Sequence, residues 1–387
     1  MSTLSSPLTA ARAFFDPAPG TIYLDAATYG LPPRPTVAAL EHALQTWQDG
    51  TAGWSADWEP AGDRSRALFA QLIGSDEAEI ALVPTASVGV GVIAASLAPG
   101  TEVLIPEDEF TSVSYPLIVA EREHGVRLRR VPFTNLAEAV TPATGIVAFS
   151  LTRSQDGESA ALGDVVEAAG HHGAQVLVDA THGIPFVPVT PYLDGIDYLV
   201  CHGYKHLLCP RGVGFMRVRR DRWPTLPPWM ANWRSADPQV SFGGHYEDLA
   251  PDARRFDVSL AWHAWVGAEQ SLALLLEWQA NGAFDEVRAL AGRLAAGLLT
   301  ADEQQGRQAH QPQPSMPHHA SPTGPSALII AAPGNTHRPR WRTTTSRTAG
   351  WRSPRWVRRS VPRPCGTRRA SGGTPPARSC VPRPAWC

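Results

Sequence analysis

Between residues 80 and 200 the chain alternates short, wholly apolar runs with longer stretches of mixed polarity. The apolar runs fall at 80–83, 102–105, 145–149, 175–178 and 198–200, each bounded by turn residues. Runs that short, with no polar alternation, predict strands buried on both faces. Helical patterning falls at 36–47, 64–73 and 163–171. The alternation predicts an α/β fold with a mostly parallel central sheet flanked by helices. Segment 81–101 is uncharged but holds Pro84, Pro99, three glycines and several hydroxyls. It therefore reads as a buried strand running into a buried helix, and not as a membrane span. An amphipathic stretch at 284–299 predicts a helix leading into a second, smaller domain.

The patterning then stops. Residues 304–321 are rich in Gln, Pro and His, and 326–330 is one further strand candidate. From 336 onward the chain is Arg, Pro, Thr, Ser and Trp with no helical or strand period. A reading-frame change in a GC-rich gene accounts for such a tail; a disordered basic arm and an unusual folded end are the alternatives. The expected organisation is an N-terminal arm at 1–20 and a large α/β domain at 21–260. An incomplete α+β small domain at 261–335 and the basic tail at 336–387 follow.

Charge divides at the same place. Residues 304–387 carry 14 arginines and no acidic residue, whereas the remainder carries 20 basic and 36 acidic residues. An acidic body argues against a nucleic-acid partner. The 13 tryptophans and 43% hydrophobic content suffice for a large core. No basic stretch followed by an apolar one opens the chain, and the five cysteines show no metal-type spacing. Both point to a reducing, cytoplasmic setting without membrane attachment.

Lysine use sharpens the picture. Of 34 basic residues, 33 are arginine and one is lysine, Lys205. A guanidinium cannot lose its proton in a protein, whereas an ammonium can be tuned to act as a nucleophile. A nucleophilic lysine needs an electron sink, and pyridoxal phosphate is the common one. Its ring nitrogen needs a facing carboxylate; Asp179 ends the apolar run Val176-Leu177-Val178. Its phenolic oxygen needs a polar contact; His182 lies three residues on. Its phosphate needs backbone N–H groups and hydroxyls at a helix start, and Thr85-Ala86-Ser87 follows the first strand. Its ring needs a flat neighbour, and Phe110 follows the second strand. Ligands of open α/β sheets bind where these strand ends gather.

At this point the residues resemble a family. Asp179-x-x-His182, then Gly203-Tyr204-Lys205-His206-Leu207-Leu208 and Gly212-Val213-Gly214-Phe215, resemble the class V aminotransferases. These are fold-type I pyridoxal phosphate enzymes that include cysteine desulfurases, isopenicillin N epimerases and C–S lyases. The resemblance covers about residues 20–300. Tyr23-Leu24-Asp25-Ala26-Ala27-Thr28 resembles the family's N-terminal substrate segment, and Arg255-Phe256-Asp257 its segment before the small domain. The resemblance implies that Lys205 forms the Schiff base and Asp179 partners the pyridinium. It places His182 at the phenolic oxygen and Phe110 where a stacking histidine is usual. It puts Thr85, Ala86, Ser87, His202 and Tyr204 near the phosphate, Ser154 facing the cofactor, and Ala27, Thr28 and Arg255 near substrate. Leu260 stands where many members carry a threonine that reaches a neighbouring subunit's phosphate. A homodimer is implied, with Trp54, Trp58, Arg255 and Trp262 as interface or gate residues.

The expected activity is aminotransfer or C–S β-elimination on an amino acid. Epimerisation and desulfurase-like activity share the same chemistry and stay open. From a different class, His202 and His206 at i, i+4 beside Asp179 and His182 could serve a metal-dependent hydrolase. That reading leaves Lys205 and the phosphate-like turn without roles, and no metal is expected. An inactive, cofactor-binding protein is the third alternative.

Overall fold

The computed structural model describes residues 6–304, and side chains for 6–297. The strand candidate at 326–330 and the arginine-rich tail from 336 lie outside the described residues. Seven strands form one sheet: β1 (Ile80–Val83), β2 (Glu102–Pro106), β3 (Arg127–Val131), β4 (Thr144–Ser150), β5 (Gln175–Asp179), β6 (Tyr198–His202) and β7 (Gly214–Val218). Their order is β1-β7-β6-β5-β4-β2-β3. Strands β2 to β6 pair in parallel, and β7 runs antiparallel between β1 and β6.

Among the described residues the α-helices are α1 (Pro7–Arg12), α2 (Arg34–Asp49), α3 (Glu59–Ile73), α4 (Ala86–Ala94), α5 (Thr111–His124), α6 (Leu162–His172), α7 (Trp262–Ala280) and α8 (Ala283–Gln304). They cover both faces of the sheet, and the strand side chains divide between two cores accordingly. Ile80, Leu82, Val176 and Val178 join one core with Phe69 of α3, Ala169 of α6 and Trp265 of α7. Ala81, Val83 and Leu177 join the other with Val90 of α4 and Leu117 of α5. Alternate residues of each strand thus face opposite cores, which explains the uninterrupted apolar runs.

Two strands depart from that pattern. The edge strand β3 reads Arg-Leu-Arg-Arg-Val and is largely accessible, as an edge protected by charge should be. In β7, Arg217 is buried and pairs with Glu79, its guanidinium also donating to the carbonyls of Leu193 and Ile196. Helix α7 buries Trp265, Ala268, Leu272 and Leu275 in the same core as the sheet; residues 305–335 of the expected small domain lie outside the described residues.

A buried ion network ties the 250s to β1. Asp257 accepts from the Arg66 guanidinium at 2.6 and 3.1 Å and from the Leu82 N–H at 2.8 Å. Arg234 joins the network through Glu59 and Asp63. Both Arg66 and Asp257 are at most 2% exposed along their side chains, so their charges rely on this network in place of water.

Candidate active site

The carboxyl ends of β4, β5 and β6 and the start of α4 meet in one cleft. Its lining is Ala86, Phe110, Ser112, Ser150, Thr152, Asp179, Thr181, His182, His202, Tyr204 and Lys205. This is the crevice where open α/β sheets bind ligands.

The lysine sits on a tightly closed loop between β6 and β7. Its base is shut by the Gly203 N–H donating to Val213 O and the Cys209 N–H donating to Gly203 O. Its tip is a turn in which the Leu208 N–H donates to Lys205 O, with Leu208 at φ 57°. A leucine in the left-handed region is costly and persists only where the surroundings impose it. Ser271 of α7 supplies one such restraint, its hydroxyl donating to Leu208 O at 2.9 Å. The other side of the loop receives Gly30, whose N–H donates to Tyr204 O at 2.9 Å.

Lys205 is 5% exposed, and its Nζ lies 2.5 Å from His182 Nε2. Burial pushes the amine's pKa down to about 8; Asp179 opposes the shift and Arg211 adds to it. His182 is pushed down to about 3 by burial, then by the Lys205 and His206 charges. It is therefore neutral and can accept from the ammonium. Burial likewise lowers His202 and His206 to about 4. Asp179, 5% exposed, accepts from the Thr181 N–H at 3.0 Å. Burial raises its pKa, and the Thr181 hydrogen bonds and the Lys205 charge pull it back. Phe110 covers the cleft from α5's side, with its ring centroid 5.3 Å from Lys205 Nζ.

Several residues with no sequence signal of their own complete the site. Glu109 is the most connected. Its carboxylate accepts from the Ser150 N–H at 2.9 Å, the Ser150 hydroxyl at 2.5 Å and the Phe110 N–H at 2.8 Å. One acid thereby fixes both the ring-bearing turn and the end of β4, where Ser150 pairs with Asp179. Burial raises the Glu109 pKa, against the pull of these donors. Thr181 links two strand ends, accepting from the His202 N–H at 3.0 Å.

Other expected residues take different places. Thr85 caps α4, accepting from the Val88 N–H, and its hydroxyl lies 3.0 Å from that of Ser87; only Ala86 of that trio reaches the cleft lining. Ser154 lines an adjacent hollow with Asp108, Glu109, Arg153 and Gln155. The Thr152–Ser159 bridge turns the chain outward, and Arg153 pairs with Asp108 and Asp156, so Thr152 faces the cleft instead. Thr28 donates to Asp25, and its segment reaches the site through Gly30. Arg255 lies over the Tyr246 ring, 5.6 Å from its centroid. Trp54 stacks on Trp262 at 5.2 Å, with Trp58 and Trp233 alongside. Cys201 and Cys209 are buried. Among the described residues no group of three or more His, Cys, Asp or Glu is placed to hold a metal ion.

A sequence profile described as class V aminotransferase matches residues 22–318. The chain belongs to the class V aminotransferase family. Among relatives, it is 29% identical over 192 residues to an isopenicillin N epimerase of Streptomyces clavuligerus, covering 46% of this chain and 48% of that one. It is 29% identical over 226 residues to a probable cysteine desulfurase of Aeropyrum pernix, covering 54% and 55%. The chain thus spans about half the length of these curated relatives. An apo cysteine desulfurase from Thermococcus onnurineus shares the fold at a TM-score of 0.67 and 16% identity, covering 79% of this chain and 78% of that one.

The cleft fits the family's cofactor, pyridoxal phosphate. His182 Nδ1 and His202 Nε2 are buried without hydrogen-bond partners, an arrangement that polar groups tolerate when a ligand supplies the missing bonds. A buried carboxylate, a buried amine of lowered pKa, an aromatic ring and the start of α4 at Ala86 make up the rest of the lining.

Proposed function

We propose that the chain is a pyridoxal phosphate-dependent enzyme acting on an amino acid, of the aminotransferase or C–S β-elimination lyase type. The observation that carries this reading is Lys205 meeting Asp179, His182 and Phe110 around one cleft. The cofactor, when bound, supplies an aldehyde for the substrate amine and a ring that draws electrons from the α-carbon.

The chain's own residues supply the rest. Lys205, with its pKa near 8, has a larger neutral fraction at neutral pH than an ordinary lysine, and so serves as nucleophile and then as the base for the α-proton. Asp179 would face the pyridine nitrogen, whose positive charge would offset the cost of burying the carboxylate. His182 stays neutral and orients Lys205. Phe110 covers the ring but cannot carry a proton, so acid–base work concentrates on Lys205. The first turn of α4, with Ala86 in the cleft lining, would hold the phosphate, and the neighbouring Thr85 and Ser87 would add hydroxyls.

A homodimer fits the exposed apolar residues Ile22, Leu24 and Phe242, and a cytoplasmic setting fits the buried free thiols. Among the described residues no helix is long and apolar enough to cross a membrane. The test is to add amino acids one at a time to the cofactor-loaded protein. Absorbance is followed, with assays for keto acid, ammonia, pyruvate and sulfide. At least one amino acid should change the spectrum and release one of these products. Inversion at the α-carbon without them would move the assignment to epimerisation; no response to any amino acid would contradict the proposal.

A further inference from the structure

The lysine loop carries a second cation. Arg211 stands six residues after Lys205, and its guanidinium carbon lies 4.5 Å from the Tyr204 ring centroid. The same ring has Lys205 Nζ at 5.8 Å and packs edge-on against His202 at 4.4 Å. Tyr204 and His202 both line the cleft. Arg211 is exposed, and its stacking on the Tyr204 face restricts its freedom next to a residue that lines the cleft. Its charge also lowers the pKa of both His202 and Lys205, which places it within electrostatic reach of the site.

Arg211 makes no ion pair among the described residues, although Arg219, Arg220 and Arg222 further along the same segment are all paired with carboxylates. The neighbouring cup is short of cations. Thr85 and Ser87 offer only hydroxyls.

We propose that Arg211, stacked on Tyr204, is the charge partner of the cofactor's phosphate. This rests on the functional reading above. A planar guanidinium meets phosphate oxygens through two parallel N–H groups, which a lysine cannot do.

The test compares pyridoxal phosphate with pyridoxal, which has the aldehyde but no phosphate. Binding of each to wild-type protein, Arg211→Ala and Arg211→Lys is measured by quenching of tryptophan fluorescence. Arg211→Ala should bind pyridoxal phosphate roughly tenfold or more weakly, with pyridoxal affinity within about twofold of wild type. Arg211→Lys should fall between. Raising the salt should weaken wild-type binding of the phosphate form more than that of the variant. Unchanged pyridoxal phosphate affinity in Arg211→Ala would overturn the proposal, as would equal weakening of both aldehydes. Wild-type protein that binds neither aldehyde would instead overturn the functional reading itself, and this inference with it.

Discussion

Replacing Gly30 by alanine should damage the lysine loop from outside the cleft. A Cβ at position 30 would stand 2.2 Å from Lys205 O and 2.6 Å from Leu208 Cδ2. The first of these is backbone and cannot rotate away. Restoring even a 3.0 Å contact requires the two segments to part by roughly 0.8 Å, and the Gly30–Tyr204 hydrogen bond stretches with them. Overpacking of this kind costs about 1–3 kcal/mol, and the strained hydrogen bond adds about 1 kcal/mol. Against a typical stability of about 5–15 kcal/mol the fold survives, with the melting temperature lowered by roughly 3–6 °C. Function should suffer more, because a displacement near 1 Å at a catalytic group costs about 10²-fold in rate. The assays are thermal unfolding and the rate at which added pyridoxal phosphate becomes reducible onto Lys205. Gly91→Ala is the control: nothing lies within 4 Å of its added Cβ, so in α4 it should stabilise by up to about 1 kcal/mol. A Gly30→Ala protein with wild-type melting and wild-type trapping would refute the packing argument.

Three further outcomes are expected. Asp257→Ala leaves the buried Arg66 guanidinium only the half-exposed Asp63 carboxylate and the Ile80 carbonyl, and should destabilise by about 3 kcal/mol in denaturant unfolding; a loss below about 1 kcal/mol would contradict the network's role. The neutral His182, His202 and His206 sit well below their ordinary value of 6.5 in the folded chain. Their contribution is complete above about pH 6.5 and is lost as pH falls toward about 4, while protonation of Asp179 and Glu109 in the folded chain works the other way. His202→Asn should flatten the acid slope of apo-protein stability by about 1.4 kcal/mol per pH unit; an unchanged slope would count against the buried neutral histidine. Finally, the reactivity of Lys205 toward an amine reagent, quantified on its own peptide, should titrate near pH 8. A midpoint near 10.5 would contradict the buried, lowered amine.

The parts of the fold legible in the sequence were those buried on both faces. Five strands announced themselves because each is a short apolar run feeding two cores. Strand β3 was hidden by its three arginines, which suit an exposed edge, and β7 by the buried Arg217. Helix α5 carries Pro116 and a weak apolar period, and so went unmarked. In the site, Lys205, Asp179 and His182 were legible because strand ends in this topology converge, which turns neighbours in pattern into neighbours in space. Glu109 was not, since an acid in Glu107-Asp108-Glu109 looks like surface charge. Only the folded turn shows it capturing the Ser150 and Phe110 donors. The offset between Ser154 and Thr152 has the same origin: a bridge between residues 152 and 159 decides which hydroxyl faces inward, and no local pattern encodes it.

The central claim is that the amine of Lys205 carries the cofactor. Borohydride reduction of the protein after pyridoxal phosphate is added, followed by peptide mass mapping, tests it directly, because Lys205 is the chain's only lysine. The account predicts one reduced pyridoxyl group per chain, on the peptide containing Lys205. Label confined to the N-terminal amine, or no label at all, would contradict it.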